Sequence, residues 1–244
     1  MISFFCKNTY FLGPINKKES WRLQRVSSRV RGEEIAKYLG AKFNQERSDV
    51  NIYVKGCRKE EVEDGDYVDV LDDLWMMDWL MDKPKIKVIA MSLSHQDYLK
   101  SKLKNEIVYI PHHHVNFDRV KRTRKEITTC GYVGSPRKIT VKGFKFIYME
   151  AFKTRQDIIN FYKKIDIQVI GDVKDAPYYH PTKIINAMSF GIPTVSPKKM
   201  GYREVEGFYF QDLEELRNGW DADKLIQEAE KYHISNIAKK YRQL

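Results

Sequence analysis

An α/β protein of two doubly wound lobes is the fold class this sequence predicts, and three observations predict it. Short apolar runs alternate with amphipathic stretches almost from end to end, the pattern of βαβ units and parallel sheets. The alternation breaks after Pro111 into HHHVNFDRVKRTRKE, a polar, basic stretch that reads as a linker. A second alternating series then begins, with no internal repeat and no low-complexity tract. The chain therefore reads as two Rossmann-like lobes with a cleft between them, residues 1–113 and 114–232. A last amphipathic stretch, 233–244, crosses back to the first lobe.

Each element has its own local reason. Ile2–Cys6 is a short apolar strand, and a turn around Gly13-Pro14 leads to a helix over Trp21–Leu39. That helix has a core stripe at Leu23, Val26, Val30 and Ile35, with Arg22, Arg25 and Arg29 on an adjacent face. Strands follow at Asn51–Val54, Tyr67–Leu71, Lys87–Met91 and Ile107–Ile110, separated by helices at Leu74–Met81 and His95–Leu103. The second lobe runs through strands Ile127–Val133 and Phe144–Met149, helix Arg155–Lys164 and strand Ile167–Ile170. It closes with strand Gly207–Phe210 and helices Leu213–Asn218 and Ala222–Tyr232.

The segment between, PTKIINAMSFGIPTV at Pro181–Val195, is the most informative in the chain. Pro181 has the φ that leads into a helix, and Thr182 is placed to cap the first free amides. Lys183 sits in the first turn, where the helix dipole disfavours a cation unless an anion lies nearby. Ile184, Ile185, Ala187 and Met188 make the helix apolar over most of its surface, as burial requires. Gly191 stops it, Pro193 prevents its continuation, and Thr194 and Val195 suit a strand. A buried helix whose start offers amides and a lysine suits a diphosphate; the plain alternative is an ordinary α/β helix with a solvated lysine.

Composition narrows the partners. With 43 Lys and Arg against 33 Asp and Glu, the formal charge is +10, which favours an anionic partner: nucleotide, nucleic acid or membrane surface. The charge is in blocks, with nine basic residues over Lys17–Arg47, eleven acidic over Asp49–Asp82 and nine basic over Arg119–Lys145. Nucleic acid is the poorest of these partners, because the basic run RVKRTRK lacks interleaved aromatic residues and a recognised module. Cys6, Cys57 and Cys130 lie far apart without a CxxC, which indicates a reducing, intracellular compartment. No apolar run approaches the roughly 18 residues of a membrane span, and MISFFCKNTYF is too polar for a signal peptide. The expected location is cytoplasmic, with peripheral contact to an anionic membrane through the arginine-bearing helix and Trp21.

Four segments in order carry a family resemblance: VYIPHHHVN, CGYVGSPRK, FYKKIDIQVI and KIINAMSFGIPTV. Together they resemble the hinge and donor lobe of the GT-B glycosyltransferases, specifically the large retaining group that takes sugars from nucleotide-diphosphate donors. The first lobe matches only in its general pattern, with VDVLDD and VIAMSLSHQDYL as echoes. The resemblance implies a sugar transfer to a glycan, lipid-linked or protein acceptor, with retention, without a metal and without a cofactor beyond the donor itself. It implies that Arg137 and Lys138, after the loop of Gly134 and Ser135, neutralise the departing diphosphate together with Lys183, with Lys142 as a further candidate. His95 faces the cleft from the first lobe, or else merely caps its helix. His180, Thr182, Asn186 and Glu204 are the remaining donor-site candidates.

The chain also departs from the family. Relatives carry two glutamates eight apart in the donor loop, the second binding the ribose diol. Here Asn186 stands at the second position and Tyr178 at the first. Asparagine can still bond a diol, without the charge that strengthens a carboxylate's bonds. That departure and a shortened second lobe support an alternative: a non-enzymatic module that recognises sugar or nucleotide on a degenerate glycosyltransferase fold. The three consecutive histidines His112, His113 and His114 cannot all face one metal in an extended segment, and read as hinge residues lining the cleft.

Overall fold

The computed structural model describes residues 1–6, 29–124, 126–134, 139, 141–150, 154–171, 175–217 and 219–244. Six strands form the first sheet: β1 (Ile2–Cys6), β2 (Lys42–Phe43), β3 (Val50–Val54), β4 (Tyr67–Asp69), β5 (Lys87–Ala90) and β6 (Ile107–Tyr109). Their order is β2-β1-β3-β4-β5-β6, and every pairing is parallel. The second sheet holds β7 (Thr129–Val133), β8 (Lys145–Met149), β9 (Ile167–Val169) and β10 (Thr194–Val195), in the order β10-β9-β7-β8 and again parallel. Helices α1 (Ile35–Leu39), α2 (Met76–Leu80) and α3 (Leu93–Lys100) belong to the first lobe. The second carries α4 (Arg155–Tyr162), α5 (Thr182–Ser189), α6 (Leu213–Arg217) and α7 (Ala222–Ala229), and α8 (Ile234–Arg242) follows.

Parallel strands covered on both faces must be apolar on both. Alternate residues of β3 accordingly enter two cores: Ile52 and Val54 on one side with Phe4, Tyr67 and Ile89, and Tyr53 on the other with Val68, Val88 and Leu99. The first of these cores is completed by α8, whose Ile234, Ile237 and Tyr241 pack beside Phe4. The Tyr241 and Phe4 rings meet edge-on at 5.4 Å, and the Tyr67 hydroxyl donates to the Leu244 carbonyl at 3.3 Å. α8 thus packs against the first sheet. In the second lobe α5 is apolar on two sides, with Ala187 against α4 and Ile184, Ile185 and Met188 against α7. Gly191 ends it at φ +73, the left-handed conformation for which glycine carries no steric penalty.

Several expectations shift. Ser92, rather than His95, starts α3, because its Oγ accepts the His95 N–H at 3.0 Å; the helix therefore begins earlier and ends at Lys100. β4 stops at Asp69, since Leu71 turns to φ +52. Gly207–Phe210 is no strand: the preceding Met200–Val205 winds into a 3-10 helix, and only Phe210 bridges to Val195. The last long helix of the second lobe breaks at Ala229 into a 3-10 turn, Glu230–Tyr232. Of the long arginine-bearing helix, only 29–39 is described, opening as a π-helical turn at Arg29–Glu34; Gly13, Pro14, Trp21, Arg22 and Arg25 lie outside the described residues. The linker is extended but not solvated, with His112, His113, His114 and Asn116 only 7, 2, 2 and 0% exposed. No helix among the described residues is long and apolar enough to cross a membrane.

Candidate functional site

The second sheet grows from β7 to β8 in one direction and to β9 in the other. Its switch point therefore lies at the carboxyl ends of β7 and β9, where ligands of open α/β sheets bind. Gly134 follows β7 there at φ +145, and a Cβ on it would meet the Tyr132 hydroxyl at 2.9 Å and Lys183 Cε at 3.1 Å. Lys183 thus lies directly over the glycine, its Nζ 5.6 Å from the centre of the Tyr132 ring. Tyr148 stacks on Tyr132 at 5.9 Å and donates its hydroxyl to the Gly134 carbonyl at 2.6 Å. Gly134, the lysine and the helix start are brought together. Ser135, Arg137 and Lys138 lie outside the described residues.

Pro181, not Thr182, occupies the cap position of α5, and no side chain caps it. Thr182 is the first helical residue, with its hydroxyl 2.8 Å from His180 Nδ1. His180 Nε2 accepts the backbone N–H of His112 at 3.3 Å, so its hydrogen sits on Nδ1 and Thr182 is the acceptor. The cap residue itself therefore offers the first turn no side-chain acceptor, which suits an anion site at a helix start. Asn186, the ribose-contact candidate, also bonds within the chain. It is 7% exposed, and its Oδ1 accepts the N–H of Val115 at 3.0 Å, fastening the linker to α5.

Glu204 also bonds within the chain. Its Oε1 takes the Leu93 N–H at 3.1 Å, at the start of α3, and the Tyr109 hydroxyl at 3.3 Å. Burial raises the pKa of this carboxyl above the usual range, with the two hydrogen bonds opposing. Ser94 Oγ donates to the Met200 carbonyl at 2.5 Å and Arg203 pairs with Asp97 at 2.6 Å, so Met200–Val205 is pinned along the first lobe's α3.

The carboxyl edge of the first sheet lies beside the segment that precedes α5, where His112 meets His180. Asp69 ends β4 and forms a buried ion pair with Arg31, from the π-helical turn. His95 is 0% exposed, and its Nδ1 is 3.4 Å from the Met91 N–H. The His112 and His180 rings meet edge-on at 4.7 Å. Burial lowers the pKa of His95 to about 4 and those of His112 and His180 well below the usual histidine value, and the Arg31 charge adds to each shift. All three are neutral at pH 7. Asp72 and Asp73 are engaged by Lys55, at 2.5 and 3.6 Å. Arg31 and Asp69 were not candidates from the sequence. The available signal was an aspartate inside the apolar run YVDVL, a residue that stays buried only with a cation beside it.

No protein-family model matches the chain, and no curated protein sequence does. Solved structures do. HepE from Anabaena, in complex with UDP and glucose, superimposes with a TM-score of 0.55 at 12% identity, over 100% of this chain and 98% of that one. A sucrose-phosphate synthase from Thermosynechococcus elongatus gives 0.54 at 12% identity, over 95 and 80%. AviGT4, a glycosyltransferase involved in avilamycin A biosynthesis, gives 0.55 at 13% identity, over 86 and 76%. With its two parallel α/β lobes, the chain has the GT-B fold of these glycosyltransferases.

Proposed function

We propose that the protein transfers a sugar from a nucleotide-diphosphate donor to an acceptor hydroxyl, with retention at the sugar carbon and without a metal. The observation that carries this reading is the meeting of Gly134, Lys183 and the uncapped start of α5 at the switch point of the second sheet. The donor phosphates lie on the α5 amides and Lys183, with Ser135, Arg137 and Lys138 as the further phosphate-binding residues that the resemblance implies. As the bond from the anomeric carbon to the phosphate oxygen breaks, the nucleotide diphosphate leaves with the electron pair. The cations and amides stabilise that charge. The acceptor oxygen bonds to the same carbon on the face from which the diphosphate departs, as retention requires, and passes its proton to the departing phosphate oxygen. His95, His180 and Thr182 border the reacting centre, and Glu204 holds the two lobes at working distance. The HepE complex with UDP supports a uridine nucleotide as the first donor to test. Cytoplasmic location and contact with an anionic membrane carrying a lipid-linked acceptor belong to the same proposal.

A melting-temperature screen of UDP, GDP, CDP, ADP and dTDP sugars tests it. One nucleotide should raise the midpoint by several degrees, as binding to the folded state alone requires. Joint replacement of Arg137 and Lys183 by alanine should remove both that shift and donor turnover in a chain that still melts cooperatively. Unchanged turnover sinks the reading. The engagement of Asn186 by Val115 favours a second reading, a binding module without catalysis. Slow donor hydrolysis in the absence of acceptor rejects that alternative.

A further inference from the structure

The carboxyl edge of the first sheet carries more hydrogen-bonding capacity than the chain uses. Neighbouring strands lie about 4.8 Å apart. β4, β5 and β6 therefore bring Asp69, His95 and His112 close together, and Arg31 joins them from the π-helical turn. Arg31 and Asp69 are 1 and 0% exposed, as buried as the two histidines beside them. Asp69 holds the guanidinium by Nε, so the Nη1–Nη2 end is turned away from the carboxylate. Both Nη atoms are buried without a hydrogen-bond partner among the described residues, and so are His95 Nε2 and His112 Nδ1. His95 accepts the Met91 N–H on Nδ1, which leaves its own hydrogen on Nε2. The charge of Arg31 is felt by His95, His112 and His180 alike, so these groups share one electrostatic neighbourhood.

Donors outnumber acceptors at this edge; among the described residues the unpartnered acceptors beside Arg31 are Asp69 Oδ1 and the Tyr241 hydroxyl oxygen, which is itself also a donor. The complementary ligand must bring oxygens that accept. The two-pronged end of a guanidinium fits the paired oxygens of a carboxylate or phosphate. We propose that Arg31, with His95 and His112, forms a subsite for an oxyanion, a carboxylate or phosphate, carried by the acceptor. The word acceptor rests on the glycosyl-transfer reading; the oxyanion subsite rests on the three donor side chains.

The test uses the full chain saturated with UDP, so that the donor phosphates are already in place. Inorganic phosphate, D-glucuronate and D-glucose are titrated in turn, read by the His95 ring signals in NMR and by calorimetry. The expected result is saturable binding of phosphate or glucuronate at least tenfold tighter than glucose, with a shift of the His95 signal. Arg31→Lys keeps a cation for Asp69 but has no two-pronged end, and should lose at least tenfold. His95→Phe should lose a similar factor, and decides the matter if Arg31→Lys does not fold. A response to phosphate alone assigns a phosphorylated acceptor, and one to glucuronate alone assigns a carboxylated one. No preference over glucose, or unchanged affinity in the folded variants, overturns the subsite. UDP binding without an oxyanion response rejects the subsite and leaves the transferase reading. An Arg31-dependent oxyanion response without UDP binding does the reverse.

Discussion

At Gly134 the backbone adopts φ +145 while Tyr132 and Lys183 close over the missing side chain, so two separate constraints demand glycine at one position. Gly134→Ala must strain the loop or push Lys183 aside. About 1–3 kcal/mol of lost stability is expected in urea unfolding, together with weaker nucleotide binding. Lys183→Ala leaves the backbone alone and tests the charge. A lost charge-assisted contact of about 1.5–3 kcal/mol corresponds to roughly a 10- to 100-fold weaker UDP affinity by calorimetry. Both residues were legible in the sequence because their signals are local: a glycine after an apolar strand and a lysine in a first helical turn. Asn186 was legible only as a departure from the family. Its partner Val115 lies 71 positions away, and no local pattern announces such a bond.

The linker shows the same contrast at the scale of an element. Its position followed from the break in the apolar pattern, but its burial came from neighbours on two distant elements, the π-helical turn and the 3-10 turn Glu230–Tyr232. The His113 ring lies 3.0 Å from the Val30 carbonyl and 3.3 Å from Glu34, while the His114 N–H donates to Tyr232 at 3.0 Å. Burial lowers the pKa of His113 to about 4 and that of His114 to about 3, from an ordinary 6.5. Histidines held neutral in the fold contribute their stability in full above pH 6.5, and lose it as the pH falls toward those values, because the unfolded chain binds the protons first. Glu34 opposes them: burial raises its pKa to about 7, so the fold gains from its protonation as the pH falls from 7 toward 4.5. Glu204, Asp69 and Asp73 are raised by burial as Glu34 is, but the five lowered histidines, with His95, His112 and His180 among them, outnumber these four carboxyls. The urea midpoint should therefore drop as the pH falls from 6.5 toward 4; a flat profile contradicts the buried linker. His233 caps α8 by accepting the Ser235 N–H, and its Nε2 lies 3.0 Å from the Phe117 carbonyl. His233→Ala should cost about 1–2 kcal/mol, read by the same method. The two-residue β2 had no such legibility, since two residues are too few to show a period of two.

Across the whole molecule, both lobes meet along α3 and the Met200–Val205 turn. Glu204 supplies the bond that reaches from one lobe to the first turn of the other's helix. Glu204→Ala should leave each sheet intact and raise amide exchange at Leu93 by tenfold or more, measured by hydrogen–deuterium exchange. Two lobes and parallel sheets were readable from alternation alone, because burial on both faces leaves its mark in every strand. How the lobes touch was not, since those contacts join single residues about a hundred positions apart. The return of α8 to the first sheet has a consequence for the order in which the molecule can be made. Phe4 leaves the ribosome more than two hundred residues ahead of Tyr241, yet the two rings share one core. The leading half must wait, its apolar face uncovered, while the trailing half is synthesised. A nascent chain stalled before Ile234 should bind holdase chaperones that release it once α8 has emerged.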